Sequence, residues 1–304
     1  MAASDPANPP STRYRGRFAP SPTGPLHLGS IVAALASFLD ARAAEGVWLV
    51  RMEDLDPPRE MQGAADHILR TLEQLHLWWD EDVVYQSNRE EAYRAALETL
   101  QSQQLVYACR CSRSELAAAA IYPGTCRDRC LTRLNDTALR CCVPRQEFRF
   151  SDRIQGDYSQ QLARDVGDFI LLRKEGFFAY QLAVVVDDGW QGVTDIVRGC
   201  DLLDSTPRQL WLQQRLGLPE PRYAHAPLII NAQGQKLGKQ QRSPAIDGVN
   251  AAAVLMAALG LLNQHPEPAL QYEHDPQVVL QWAIQHWQPE RLMNTREVIE
   301  TATG

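Results

Sequence analysis

The stretch RFAPSPTGPLHLGS, from Arg17 to Ser30, sets a short apolar run against three prolines, two glycines and one histidine. It leads directly into IVAALASFLDAR, whose composition predicts a helix. A strand, a Pro/Gly turn and a helix N-terminus together make a place for phosphate. Backbone N–H groups point outward there, and the helix dipole favours negative charge. Gly24 and Gly29 let a ligand approach the backbone, and His27 can donate a hydrogen bond to a phosphoryl oxygen. A second constellation is metallic. Six of the seven cysteines fall between Cys109 and Cys142, and in a reducing compartment that crowding favours a metal over disulfides. Cys109, Cys111 and Cys126 form the core of the set, and by residue type alone Cys130 completes four thiolates, the donor set of a structural zinc site. Cys141, Cys142 and Cys200 read as free thiols.

These groups need elements to hold them. YRGRFAP reads as a short strand, about 27–45 as an amphipathic or buried helix, and GVWLVRMED as a strand buried in a parallel sheet. EMQGAADHILRTLEQL and NREEAYRAALETLQSQ carry helical spacing, so strand and helix alternate as in a doubly wound α/β domain. The rhythm breaks near Cys109, where a Cys-, Arg- and Pro-rich segment to about Asp152 reads as an inserted module. Ser112 to Glu115 is a capping box opening an alanine-rich helix. FILLRKEGFFAYQLAVVVDDGWQGVTDIVRG reads as strands joined by tight turns, with a hairpin at KEG. STPRQLWLQQRLG is a helix with a Ser/Thr cap and a glycine stop, and residues from about Pro244 onward read as helical, interrupted by the polar, proline-bearing NQHPEPALQYEHDP.

Composition narrows the function. The 304 residues carry a net charge of −7, which argues against a general nucleic-acid coat protein but leaves room for a local basic groove. No apolar run approaches the roughly 20 residues of a membrane span, and the polar start lacks a signal core, so the expected location is the cytoplasm.

RFAPSPTGPLHLGS resembles the first signature of class I aminoacyl-tRNA synthetases in its glutamyl form, with Ser30 at the variable last position and the branch-specific Pro-Ser-Pro-Thr-Gly run at Pro20 to Gly24. RMEDLDPPR (Arg51 to Arg59), VRGCDLLDSTPRQ (Val197 to Gln209) and KLGKQ (Lys236 to Gln240) resemble three further family segments in the expected order. The last is similar to the Lys-Met-Ser-Lys-Ser loop, with Gly238 in place of its central serine.

The resemblance implies an α/β class I Rossmann nucleotide-binding fold split by a zinc-bearing insertion and followed by a short helical C-terminal region. It divides the chain into a flexible tail (1–14), a first catalytic half (15–108), the zinc-bearing, acceptor-binding-like insertion (109–178), a second catalytic half with the lysine loop (179–243) and a helical, stem-contact-like region (244–304). It implies His27 and Lys239 as catalytic. Glutamate falls to Arg17, Phe18, Ala19, Pro20, Ser21, Glu53, Tyr180 and Arg198, and ATP to His27, Gly29, Lys236 and Lys239. Its zinc set is Cys109, Cys111, Tyr122 and Cys126, with Cys130 a rival to Tyr122. Mg²⁺ accompanies the ATP.

About sixty residues follow Pro244, fewer than an anticodon-binding region needs. The expectation is therefore the truncated paralogue of glutamyl-tRNA synthetases, a monomer without an anticodon-binding domain. What this implies is tRNA-independent activation of L-glutamate and its transfer to the queuosine base at the wobble position of tRNA(Asp), with the anticodon stem-loop as partner. The rivals are an ordinary glutamyl-tRNA synthetase catalytic subunit and an inactive, zinc-stabilised RNA-binding paralogue. For RNA contact the basic stretch CRDRCLTRL, Arg149 and Arg153 are the candidates.

Overall fold

The computed structural model describes residues 13–112, 114–116, 121–129, 131, 136–236 and 250–300. Strand β1 (Arg15–Phe18), helix α1 (Leu28–Ala43) and strand β2 (Val47–Met52) open the fold, β2 pairing in parallel with β1. The apolar run of β2 is explained by burial on both faces: Trp48, Leu49, Val50 and Met52 are inaccessible to solvent. Helix α2 (Ala64–Gln74) returns the chain to β3 (Val84–Tyr85), parallel to β2, and α3 (Glu90–Ser102) leads into β4 (Val106–Cys109). Four antiparallel strands follow in two sheets. Strands β5 (Ala138–Cys141) and β8 (Ile170–Leu172) join β4, while β6 (Glu147–Asp152) pairs with β7 (Gly156–Gln161), and the single turn α4 (Leu162–Asp165) connects β7 to β8.

The parallel arrangement then resumes with α5 (Tyr180–Trp190), β9 (Asp195–Gly199), α6 (Thr206–Leu216), β10 (Arg222–Ala226) and β11 (Leu228–Ile230). β10 is parallel to β9, and Thr194 N–H donates to Arg15 O at 2.9 Å, which seats β9 beside β1. From β1 the strands run outward in opposite directions, to β2 and β3 on one side and to β9 and β10 on the other. Such a switch point leaves a crevice at the carboxyl ends of the strands, where ligands bind in open α/β sheets. Helices α7 (Ala251–Leu261) and α8 (Pro276–Gln285) pack on the outer side of α1, which is why α1 is buried almost all round from Ile31 to Ala41.

Two expectations are corrected. The segment Tyr180–Trp190 is a helix, not a strand: its Val184, Val185, Val186 run favours a strand locally, but it sits between α3 and α6, where a helix buries both its apolar sides. The turn before it is as expected, with Arg173 N–H donating to Phe177 O and Gly176 at φ +91°. The C-terminal part is not wholly helical, because β12 (Glu297–Ile299) pairs in parallel with β11. Ser112 and Glu115 do exchange the two capping hydrogen bonds, at 2.6 and 3.2 Å. The alanine run after them, Cys130, Gly238 and Lys239 lie outside the described residues.

Candidate active site

The crevice beside β1 is a cavity of about 310 Å³. It is walled by residues at the carboxyl end of β1, the turn to α1, the end of β2, the start of α5, and β9. Arg17, Phe18, Ala19, Pro20, Ser21, His27, Gly29, Glu53, Tyr180, Arg198 and Lys236 all line it. Every predicted glutamate and ATP residue among those described is thus brought to one place.

The turn is built around His27. Its backbone is extended, and its Nδ1 accepts Ser30 N–H at 3.2 Å, so the side chain caps α1 while its other edge faces the Ser30 hydroxyl at 3.1 Å. A Cβ on residue 29 would stand 3.2 Å from that Nδ1. Gly29 therefore keeps room for the imidazole, a reason the sequence alone does not give. Gly24 adopts φ +149°, which favours glycine. Lys236 Nζ pairs with Asp201 on the cavity rim.

Charge is distributed unevenly around the wall. Arg17 is buried and donates from Nε and Nη2 to the two oxygens of Asp188, at 3.0 and 3.3 Å. Arg51, fully buried, donates to the same carboxylate at 2.8 Å and to Gln191 at 2.6 Å. Burial alone would raise the Asp188 pKa, but the two guanidiniums outweigh it and hold the carboxyl below its ordinary range. Glu53 has no such support. Its Oε1 is buried without a hydrogen-bond partner, Arg51 stands off at 3.8 Å, and burial pushes its pKa up to about 7 against the opposing pull of Arg51 and Arg17. A buried carboxylate with an open acceptor is a receptor for a cation.

Across the cavity, Arg198 donates to His225 Nε2 at 3.0 Å and to Thr206 Oγ1 at 2.9 Å, with the Tyr180 hydroxyl 3.4 Å away. His225 Nδ1 lies 2.6 Å from Asp152 Oδ2. Two guanidiniums and one unsatisfied carboxyl suit an amino acid carrying an additional acidic group. Asp188, Asp152 and His225 were not singled out in the sequence. The adjacent acidic pair inside AVVVDDGW was a usable signal, since a charge in an apolar run must find a buried partner. His225 sits in the apolar strand β10 and offers a weaker one.

Away from the cavity, the Sγ atoms of Cys109, Cys111 and Cys126 lie within 4.8 Å of one another, Cys111 and Cys126 at 3.5 Å. The Tyr122 hydroxyl is 3.4 Å from Cys109 Sγ and 3.9 Å from Cys111 Sγ. Zinc–sulfur bonds of about 2.3 Å in a tetrahedron set sulfurs about 3.8 Å apart, so the cluster has the dimensions of a zinc site. Of the candidate RNA-contacting arginines, Arg153 pairs with Asp40 of α1, Arg149 with Glu147, and Arg127 with Asp168.

The family described as tRNA synthetases class I (E and Q), catalytic domain, matches residues 13–121 and 130–259. The chain is 55% identical over 291 residues to the glutamyl-Q tRNA(Asp) synthetase of Ectopseudomonas mendocina (strain ymp), covering 95% of this chain and 98% of that protein. Identity is 56% over 283 residues to the protein of the same name from Pseudomonas aeruginosa (strain LESB58), covering 93% and 96%. Among solved structures, the glutamate-tRNA synthetase of Elizabethkingia anophelis shares the fold with a TM-score of 0.79 at 23% identity, over 95% of this chain and 68% of that one.

Proposed function

We infer function from one premise: the chain belongs to the class I tRNA synthetases for E and Q and, within them, to the glutamyl-Q tRNA(Asp) synthetases. It is a ligase that activates L-glutamate with ATP and transfers the glutamyl group to queuosine in tRNA(Asp). The observation that carries the reading is the cavity at the switch point. It joins a helix N-terminus with a capping imidazole to two guanidiniums and to Glu53, whose Oε1 has no hydrogen-bond partner.

One glutamate carboxylate attacks the α-phosphorus of ATP, pyrophosphate leaves, and a hydroxyl of the wobble-position queuosine then takes the glutamyl group as an ester while AMP departs. The protein contributes positioning and charge stabilisation. Arg17 and Arg198 hold the substrate carboxylates, Glu53 its ammonium, and Ser21 and Tyr180 supply hydroxyls beside the backbone of Phe18, Ala19 and Pro20. His27 steadies the α-phosphate over the α1 N-terminus, with Gly29 and Lys236 on the ATP side. Lys239, outside the described residues, is assigned to the phosphates. Mg²⁺ arrives with the ATP and needs no dedicated protein cage.

Cys109, Cys111, Cys126 and Tyr122 would hold one structural zinc ion, closing the base of the 109–178 module. That module and the helices of 244–304 would face an anticodon stem-loop, in a cytoplasmic monomer whose catalytic halves are 15–108 and 179–243. No helix among the described residues is long and apolar enough to cross a membrane. Cys126→Ser should release the ion and lower the melting temperature, read as zinc per chain by elemental analysis beside a thermal melt.

The deciding experiment is ATP–pyrophosphate exchange without tRNA. Glutamate should support it and glutamine or aspartate should not. Transfer should then require tRNA(Asp) carrying queuosine. Exchange that needs tRNA(Glu), with glutamate appearing at the 3′ end, would overturn the reading. In the same assay the KM for glutamate should rise as pH falls below about 7, because a proton on Glu53 competes with the substrate ammonium.

A further inference from the structure

Asp152 and His225 are buried behind Arg198 and do not themselves line the cavity. We propose that His225, fixed by Asp152 as the neutral Nδ1–H tautomer, is the positioning residue that aims Arg198 at the glutamate carboxylate. The proposal rests on the reading of the cavity as a glutamate site.

Donor and acceptor counting fixes the tautomer. Asp152 Oδ1 accepts three backbone N–H groups, from Ile154 at 3.0 Å, Gln155 at 2.8 Å and His225 at 3.1 Å. A carboxyl so used is an ionised acceptor, so the 2.6 Å contact to His225 Nδ1 needs the proton on the imidazole. Arg198 Nε can only donate, and it faces His225 Nε2 at 3.0 Å, so that nitrogen must be bare. An imidazolium, or the other tautomer, would set N–H against N–H. Burial acts in the same direction, lowering the His225 pKa to about 4.

The consequence falls on Arg198. Its Nε is held by His225, and its Nη2 by Thr206 Oγ1 at 2.9 Å and Leu202 O at 3.3 Å. One edge of the guanidinium is thereby tied down, and Nη1, beside Tyr180, is left for a ligand. Remove the acceptor at Nε2 and a buried guanidinium N–H loses its partner, so the group must turn to find another.

Two substitutions separate aiming from filling. His225→Gln places a carbonyl oxygen where Nε2 stood and can still accept from Arg198. His225→Asn keeps an N–H for Asp152 but offers Arg198 nothing. In ATP–pyrophosphate exchange, His225→Asn should raise the KM for glutamate about ten- to a hundredfold with the KM for ATP unchanged, and His225→Gln should stay within about threefold of the wild type. Thermal melts of both variants accompany the kinetics. Equal glutamate KM in the two variants, shifts that follow melting temperature, or parallel shifts in the KM for ATP would overturn the positioning role. A wild-type protein showing no glutamate-dependent exchange would instead overturn the functional reading, and this proposal with it. Nitrogen-15 imidazole spectra of the wild-type chain give an independent readout at pH 7: the Nδ1–H tautomer is expected for His225, and an imidazolium or the Nε2–H form would refute the proposal.

Discussion

Asp188→Ala should lower the melting temperature by about 5–10 °C and abolish measurable glutamate binding. Asp188 is the shared partner of Arg17 and Arg51, whose side chains are 3% and 0% exposed. Removing one member of a buried ionic cluster leaves uncompensated charge and costs about 3–5 kcal/mol, and each kcal/mol shifts the midpoint by about 1.5–2 °C in a chain of 304 residues. The functional loss has a separate origin. Without Asp188, Arg51 keeps Gln191 through Nη1, but its freed Nη2 is drawn to Glu53 from its present 3.8 Å, and pairing would block the carboxylate meant for the substrate ammonium. Asp188→Asn, which keeps the acceptor oxygen, should melt closer to the wild type yet bind glutamate poorly. Calorimetric melting with glutamate titration checks both; a midpoint within 2 °C of wild type for Asp188→Ala would refute the argument.

The same cluster sets a pH dependence of known sign. The Asp188 carboxyl lies below its ordinary value, so its contribution is present at neutral pH and fades on acidification through the carboxylate range. Glu53 acts oppositely: its pKa moves from 4.5 to about 7, so its burial is least unfavourable below 4.5 and destabilises increasingly up to about 7.

His27→Ala should reduce kcat for pyrophosphate exchange by about a hundred- to a thousandfold, the usual loss when one donor to developing transition-state charge is removed. Because His27 also caps α1, accepting Ser30 N–H at 3.2 Å, the alanine variant loses stability of about 0.5–2 kcal/mol as well. His27→Asn resolves the two effects, since asparagine is a strong cap whose amide is too short to reach the phosphate. Its melting temperature should return towards wild type while kcat stays low. Recovery of kcat to within tenfold in His27→Asn would assign the residue to helix capping alone.

What the sequence disclosed and what it withheld divide along contact range. The strand, turn and helix around His27 are local, and periodicity with turn chemistry placed them. The clustering of Cys109, Cys111 and Cys126 was also legible, but spacing alone could not choose between Tyr122 and Cys130 as a fourth group, and only the Tyr122 hydroxyl is seen beside the sulfurs among the described residues. The partners that orient the cavity arginines are different. Arg17 meets Asp188 across 171 positions, and Asp152 meets His225 across 73, so no window of sequence contains both members. Tyr180–Trp190 was misread for a related reason: its valines favour a strand until α3 and α6 surround it.

The pairing of β11 with β12 has a consequence for how the protein is made. Leu228 lies opposite Glu297, 69 positions later (297 minus 228). At about 5–20 residues per second, a ribosome exposes β11 roughly 3–14 seconds before its neighbour exists. During that interval the strand carries an unpaired edge immediately ahead of the segment bearing the lysine signature, a site where nascent chains can join edge to edge. Closing of the sheet edge beside the cavity therefore waits for residues 297–299, and a chaperone holding the nascent chain would be of most use in those seconds.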